Sequence, residues 1–554
     1  MRIELRVEKV SNHKNKTISF FILLSLITLM NSVLAQDKVS PGAIHGNFQG
    51  DAQYYNPDSN INAPLVPEKM LMNGYANFNY ESEHFLAGLR YESYLHVLQG
   101  FDPRYEGSGI MYRYLTYKKD QMEITAGSFY EQFGSGMVLR AYEERGLGID
   151  NALEGFRVKY TPIEGLTFKG VIGKQRSFFN YGPGIVRGFD GELSLNDFLK
   201  SWSEKKTKIV VGGCFVSKYQ KDADPIYILP ENVGSYSGRI NLQHGKISFN
   251  SEYAYKINDP SFTNHFIYKD GQCLLVSATY TKPGIGLTIS GKRTDNMNYR
   301  SDRTVTGTLL NINFLPALTK QHTYQLATFY PYATQPNGEM AGSAEFFYNF
   351  KPGSTLGGKH GMNLALNFSK INSIDTVNTN NEKGYTSNFL KIGKTIYFED
   401  LNVELTKKFS KKYKMIFTYL NIIYNKNVIQ GEEGIFHANI GVIETIWKMT
   451  DKVAMRTELQ HLYTKQDQGN WLEPLVEFSF SPHWFVSAYD LYNYGNEIKD
   501  KQIHYFGVST GYTKNAVRMM LSYGKQRAGL FCVGGVCRTV PASNGVSFSI
   551  TSSF

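Results

Sequence analysis

Proline is scarce in this 554-residue chain, at 18 residues, and cysteine is scarcer, at 4. Heptad repeats and long stretches of Ala, Leu, Glu and Lys are missing, which removes coiled coils and large helical bundles. After the N-terminal region no apolar run is long enough to cross a bilayer as a helix. The chain has no G-x-S-x-G, no H-E-x-x-H, no P-loop and no paired C-x-x-C. No enzyme activity, metal or cofactor is therefore expected. His461 and Asp467 in "ELQHLYTKQDQG" could be joined to some serine as a triad, but any long chain allows that. Nor is there a basic tract interleaved with aromatics, so nucleic acid is not an expected partner.

The one early apolar run sits in "KNKTISFFILLSLITLMNSVLA", Lys14 to Ala35. Lys14 and Lys16 precede a short hydrophobic core, and small or aliphatic residues stand at Val33, Leu34 and Ala35. The run is too short to span a hydrocarbon layer of about 30 Å. It reads as a secretory signal, residues 1–35, cleaved after Ala35. Gln36 in place of a cysteine argues against lipoprotein processing. Removing 1–35 lowers the formal charge of +10 to +7, a mild excess that demands no polyanionic partner.

What is abundant is Tyr (38), Phe (36) and Gly (51). Strict alternation recurs. Ile247, Phe249, Tyr253 and Tyr255 alternate with Ser248, Asn250, Glu252 and Ala254. Ala344, Phe346, Tyr348 and Phe350 alternate with Ser343, Glu345 and Asn349. Leu401, Val403 and Leu405 alternate with Asn402, Glu404 and Thr406. Val453, Met455 and Leu459 alternate with Ala454, Glu458 and Gln460. Period two means strands with one apolar and one polar face. Each segment is about 10 residues, the length a tilted strand needs to cross a membrane. The mean hydropathy of −0.33 suits a barrel whose strands each turn one face to a polar lumen.

The connections alternate too. Tight links fall at 81–83, 118–121, 244–245, 282–285, 410–412, 450–452 and 481–483. Longer polar links fall at 55–69, 96–108, 131–152, 217–232, 257–270, 371–399, 425–435 and 525–543. Short turns at one end and long loops at the other are the pattern of outer-membrane barrels. The expected fold is all-β: one large antiparallel transmembrane barrel over 36–554, of about 26 strands with a range of 22–26. The first strand starts near Ala43, which leaves no room after Gln36 for an N-terminal plug domain.

The densest polar segment is "FYEQFGSGMVLRAYEERGLGIDNALEGFRVKY", Phe129 to Tyr160. Glu131, Arg140, Glu143, Glu144, Arg145, Asp150 and Asn151 mark its middle as a loop that folds into the lumen, because a barrel this wide leaves a hole unless something fills it. A solvated surface loop is the alternative. "GKQR" recurs at 173–176 and 524–527, with "GKR" at 291–293, where strands leave the membrane. These side chains would meet lipid phosphates or simply form a wet rim. "FCVGGVCR", Phe531 to Arg538, places Cys532 and Cys537 around a Gly-Gly centre. In an oxidising compartment they are expected to form a disulfide across the last loop. Cys214 and Cys273 lie within strands and carry no pattern.

The chain ends "NGVSFSITSSF". Val546, Phe548, Ile550 and Phe554 share one face and would look toward lipid. The last strand should close the barrel against the first, near Ala43 to Tyr54, because an open edge in a bilayer leaves backbone groups unsatisfied.

Phe548, Ile550 and the terminal Phe554 resemble the C-terminal signal of bacterial outer-membrane barrels. The resemblance implies recognition by the barrel assembly machinery and residence among outer-membrane lipids and lipopolysaccharide. Four further segments, 129–155, 315–342, 458–471 and 526–545, resemble a family of uncharacterised outer-membrane barrels of Bacteroidota, described as a domain of unknown function. That implies location and fold, with no substrate and no catalytic residue. Two functions fit: a porin-like channel with an inward-folded loop, or an accessory barrel of an envelope secretion or assembly complex, filled by its loops or by other envelope proteins.

Overall fold

The computed structural model describes residues 42–554. The signal segment and the cleavage point at Ala35 lie outside the described residues. One sheet of 24 strands closes on itself, every strand pairing antiparallel with its neighbours along the chain. The count falls within the expected range of 22–26, two below the expected number of about 26. The difference has a location. Segment 296–337, between strands Ile285–Asp295 and Gly338–Phe350, is long enough for two more strands but forms none of the barrel.

The closing seam joins Ala43–Tyr55 to Ser543–Ser553. Gly50 faces Ile550, Ala52 faces Phe548 and Tyr54 faces Val546. The amides of Gly46 and Phe554 each donate to the other's carbonyl at 3.0 Å. The Phe554 ring lies over Gly46, where a Cβ would come within 2.7 Å of it, and against Phe78 at 6.1 Å. A side chain at 46 would unseat the ring, so this glycine is needed for a close approach.

Outward positions are apolar. Ile247, Phe249 and Tyr253 are exposed on one strand, Leu401 on another, and Leu459 on a third. This is the belt a lipid-facing barrel requires. The tight links expected from the sequence lie at one end of the barrel, and most long loops lie at the other.

Two details depart from the expected rhythm. Strands Met362–Asn378 and Tyr385–Lys408 run on past their neighbours, so the link expected over 371–399 shrinks to 379–384. A hairpin standing in water can be polar on both faces, and Asn, Ser, Thr and Lys there conceal the strands. At the long-loop end, strand Leu166–Ser177 turns into Asn180–Ser194 through Phe178 and Phe179 alone.

The lumen changes along its length. On strand Ile247–Lys256 the inward Ser248 is half-buried and Asn250 exposed, whereas Glu252, Ala254 and Lys256 are buried. The turn end is open to water. The long-loop end is filled.

Candidate functional site: a lumen closed by two loops

The first filling element is segment 130–152. It carries two small hairpins, Glu131–Phe133 with Leu139–Ala141 and Glu143–Glu144 with Ile149–Asp150. Its apolar side chains Phe133, Met137, Val138 and Leu139 are buried with the inward Val171, Val216, Val233 and Ala254. Charges pin it to the wall. Glu131 accepts from Arg157 Nε at 2.6 Å and from Lys169 Nζ at 2.8 Å. Asp150 accepts from Arg176 at 2.7 Å, from Tyr130 Oη at 3.1 Å, and also from Arg90. Arg176 and Arg90 both reach Glu92 as well, at 2.6 and 2.7 Å, so two wall arginines and two carboxylates form one buried lattice. Each charge has opposite partners within hydrogen-bond reach, which is what makes its burial tolerable.

The remaining charged and amide positions of the loop divide. Glu143 receives Arg145 at 2.7 Å and Arg90 at 2.9 Å. Arg145 continues to Gln49 of the first strand at 3.1 Å and stacks over Tyr75. Asn151 accepts from the Tyr142 amide at 2.6 Å and donates to the Asn311 carbonyl at 2.9 Å. Glu144 caps the turn 145–147 by accepting from the Gly146 amide. Arg140 is stacked on Tyr142 and Phe314, 4.6 and 4.1 Å from their centroids. Gly134, with φ +52°, lets the chain pass over Glu252; a Cβ there would lie 2.6 Å from the carboxylate, which instead accepts from the Ser135 amide at 2.7 Å.

The second element, segment 296–337, went unrecognised in the sequence. Its first limb, 296–315, packs on the same side. Tyr299 Oη accepts from the Lys218 amide at 3.0 Å and donates to the Val233 carbonyl at 2.8 Å. Arg303 donates to Asp259 at 3.2 Å, and Asp259 also holds Lys218 Nζ at 2.5 Å. The second limb crosses to the far wall. Leu326, Ala327, Tyr330 and Tyr332 are buried against the inward Leu420, Ile422, Ile440, Val442 and Leu462. His322 pairs with Asp400 at 2.6 Å, Tyr324 donates to Glu444 at 2.9 Å, and the Leu326 amide donates to Gln460 at 2.9 Å.

The terminal hairpin, Gly529–Val533 with Val536–Val540, latches onto this second loop. Cys532 and Cys537 are joined as a disulfide, with Cα atoms 4.1 Å apart. Gly534 and Gly535 form the turn at φ +58° and +86°, the left-handed pair a two-residue hairpin favours. The tip meets the loop through backbone: the Thr334 amide donates to Gly535 O at 3.0 Å, and Gln321 Nε2 donates to Cys532 O at 3.1 Å. Cys214 and Cys273 are free thiols buried on the inward face, beside Ser237 and Thr294.

The repeated basic motifs mostly do not face lipid. Arg176 belongs to the buried lattice. Lys292 pairs with Glu339 at 2.6 Å. Arg293 lies under the protruding hairpin, 4.7 Å from the Phe389 ring. Lys525 pairs with Asp58 at 2.8 Å. Lys174 is exposed.

Between the two loops, toward the long-loop end, is a cavity of about 650 Å³. Tyr142, Phe314, Tyr330, Asp467 and Arg527 line it, one or more from each of the stretches 129–155, 315–342, 458–471 and 526–545. Segments far apart in sequence therefore meet at one place.

Wall, loops and hairpin together define a β-barrel with a lipid-facing exterior and a lumen closed at one end by its own chain. The chain belongs to a family of unknown function, DUF6029, which matches residues 14–554. No curated protein matches the sequence. Among solved structures the chain is similar to the siderophore receptor PirA from Pseudomonas aeruginosa, at 10% identity over 94% of this chain and 81% of that one, TM-score 0.38. It is similar to the translocation pore of the P pilus usher PapC, at 7% identity over 92% and 99%, TM-score 0.43. It is also similar to the outer membrane protein OpdK from Pseudomonas aeruginosa, at 8% identity over 92% and 99%, TM-score 0.33. At these values nothing about ligand or partner passes from those proteins to this chain.

Proposed function

We propose that this protein is an outer-membrane transport barrel gated by its own loops, with the long-loop end outside the cell. The observation that carries the reading is the pair of loops 130–152 and 296–337, which fill the lumen at one end while the other end stays open to water. A barrel of 24 strands is wide enough for an aqueous channel or a plugged lumen. Here the filling is part of the same chain, so displacement of a loop would open a path without loss of a subunit. The experiment is single-channel recording in planar bilayers. The purified protein should show small, intermittent openings, and deletion of 316–333 should enlarge the conductance several-fold. Equal conductance from the two proteins would overturn the reading.

A second reading, an accessory barrel in an envelope complex, is favoured by one observation. Leu65, Ile226, Ile228 and Leu390, on loops and on the protruding hairpin at the long-loop end, are each more than 80% exposed. Isolated apolar side chains are ordinary, but several at one end suit a protein partner. A barrel silent in bilayers that leaves gentle detergent with a stoichiometric partner would select this reading.

A further inference from the structure

Buried arginines in this protein are, as a rule, paired with carboxylates: Arg90 and Arg176 with Glu92, Arg239 with Asp190, Arg293 with Asp295, Arg303 with Asp259. Two arginines on the cavity between the loops, Arg300 buried and Arg527 half-buried, have no carboxylate in hydrogen-bond reach. Arg300 is buried, and its guanidinium donates to Asn298 Oδ1 and to the carbonyls of Leu309 and Gly307, at 2.9, 2.6 and 2.6 Å. Those partners satisfy donors but supply no negative charge. Burial without a counter-charge pushes Arg300 down to about 10. Arg527 lies flat on Phe329, 3.9 Å from its centroid, with Trp471 at 5.6 Å. It donates only to the neighbouring carbonyl of Ala528, at 3.2 Å, and its buried Nε has no partner. A guanidinium stacked by its face keeps its in-plane N–H groups free at the edge, the geometry that receives a carboxylate or sulfate in two-pronged fashion.

The surroundings narrow the ligand. The cavity of about 650 Å³ adjoins a second of about 360 Å³, and Asp467, Gln468, Arg527 and Ala528 line both. Arg527 thus stands at the waist of a two-lobed space. The larger lobe is within the range of about 300–1,000 Å³ usual for small-ligand sites. Amides (Asn311, Gln430, Gln468) line it, beside aromatic rings that are already covered, Phe314 by Arg140, Phe329 by Arg527 and Tyr330 by the apolar wall. Amides match the hydroxyls of pyranoses. The other charges nearby do not neutralise the arginines. Glu432 is taken by Lys426 at 2.6 Å. Asp467 accepts from Tyr330 Oη at 3.3 Å. Its attraction for Arg527 is weaker than the effect of burial, which holds that guanidinium below its ordinary pKa.

We propose that the two-lobed space is a binding site for an acidic oligosaccharide, with Arg527 gripping a carboxylate or sulfate at the waist, Arg300 supplying uncompensated positive charge, and sugar hydroxyls meeting Asn311, Gln430 and Gln468. The proposal rests on the long-loop end being the outer face. It does not need the barrel to conduct. The test is direct binding, by calorimetry, of uronic-acid and sulfated di- to tetrasaccharides to the full-length protein in detergent, each beside its neutral parent sugar. Acidic members should bind saturably and about tenfold or more tighter than their neutral parents. Arg527→Gln should weaken acidic ligands about tenfold and leave neutral ones alone, while Arg518→Gln, on the exposed turn end, should change neither. Heat-shifted migration on gels verifies that each variant is a folded barrel. Binding of neutral and acidic sugars alike, binding indifferent to Arg527→Gln in a folded barrel, or no binding by any of the panel would overturn the proposal. Conductance is recorded on the same preparations, so failure of the transport reading is scored apart from failure of the site.

Discussion

On the side of the lumen walled by strands Phe85–Leu95 through Ile285–Asp295, ion pairs ring an apolar core. On the side walled by Met362–Asn378 through His504–Lys514, the loop is held chiefly by apolar contact. The first side has Arg90, Glu92, Asp150 and Arg176 in one lattice and Glu131 between Arg157 and Lys169. The second side buries Leu326, Tyr330 and Tyr332 on Leu420, Ile440 and Leu462, with scattered single hydrogen bonds around them. The difference bears on which part can move. A buried ion-pair lattice is costly to break one member at a time, because each loss strands a charge. An apolar contact fails when water reaches it, and its strength scales with area. The structure thus separates a loop pinned by ion pairs, 130–152, from a limb, 316–333, seated mainly on apolar contact.

A change outside the lumen should affect both sides together. Deleting Phe554, or replacing Gly46 with Val, removes the last seat of the closing seam. Assembled barrel should fall several-fold while export across the inner membrane continues. This is the largest effect anticipated, since an unclosed edge leaves backbone groups unpaired in lipid. Quantifying the heat-shifted band in outer-membrane fractions measures it. Full yield from either variant would show that the terminal aromatic is not needed for closure. In whatever barrel does form, protease access to the two loops should keep its normal ratio.

The next effect is confined to the apolar side. Leu326→Asp buries an unpaired carboxylate among Leu420, Leu462 and their neighbours, at a cost on the order of 4 kcal/mol. The limb 316–333 should become protease-sensitive and the conductance should rise, while 130–152 stays protected. Release of both loops by this one change would erase the distinction between the sides.

The two sides were also unequally legible. Alternation revealed the outer wall, because lipid contact demands an apolar residue at every second position. The closing strand and the Cys532–Cys537 pairing were visible for the same local reasons: residue type at short range. Segment 130–152 stood out by its density of charge. Segment 296–337 did not, since its residues look like a mixture of turns and short apolar runs, and its partners are wall strands far away in sequence. A sign was present nonetheless. In strand Tyr413–Asn425 the outward Phe417 and Tyr419 alternate with Leu420, Ile422 and Tyr424 on the inward face. A lumen wall apolar on its inner face needs something apolar to cover it, so strands hydrophobic on both faces announce an internal core. The cavity arginines were hidden for another reason. Nothing in "GKQR" says that Arg527 will lack a counter-ion, because pairing is a property of the assembled loops.

On the ion-paired side, Arg176→Gln leaves Glu92 and Asp150 with Arg90 as their main cation. Breaking a buried pair usually costs about 3–5 kcal/mol, and the remaining arginine should keep the loss near the lower end. Hydrogen exchange at 142–152 should accelerate, with 316–333 unchanged. A double-mutant cycle with Asp150→Asn should give a coupling of about 1–3 kcal/mol. Coupling indistinguishable from zero would mean that the apolar residues Phe133 to Leu139 hold the loop and the charges merely accompany it.

The smallest effect separates the sides by pH. Asp259 lies in the loop 257–270, where burial alone would raise its pKa, but Lys218, Lys256 and Arg303 outweigh burial and hold it below the ordinary carboxylate value. A carboxyl group lowered in the folded state stabilises that state fully above its unfolded pKa, about 3.9. The stabilisation is lost as the pH falls through the lower, folded value. Arg303 is the contact through which Asp259 holds the limb 296–315. Hydrogen-exchange protection factors in 296–315, corrected for the intrinsic pH dependence of exchange, should therefore be the same at pH 7 and pH 5 and fall only below about pH 4, whereas those of 316–333, seated on Leu420 and Val442, should not follow them. Asp259→Asn should abolish the acid step by imposing the loosened state at neutral pH. If 316–333 loosened in parallel with 296–315, the two limbs would form one cooperative plug, and the boundary between a pinned and a releasable part would have to be drawn elsewhere in the lumen.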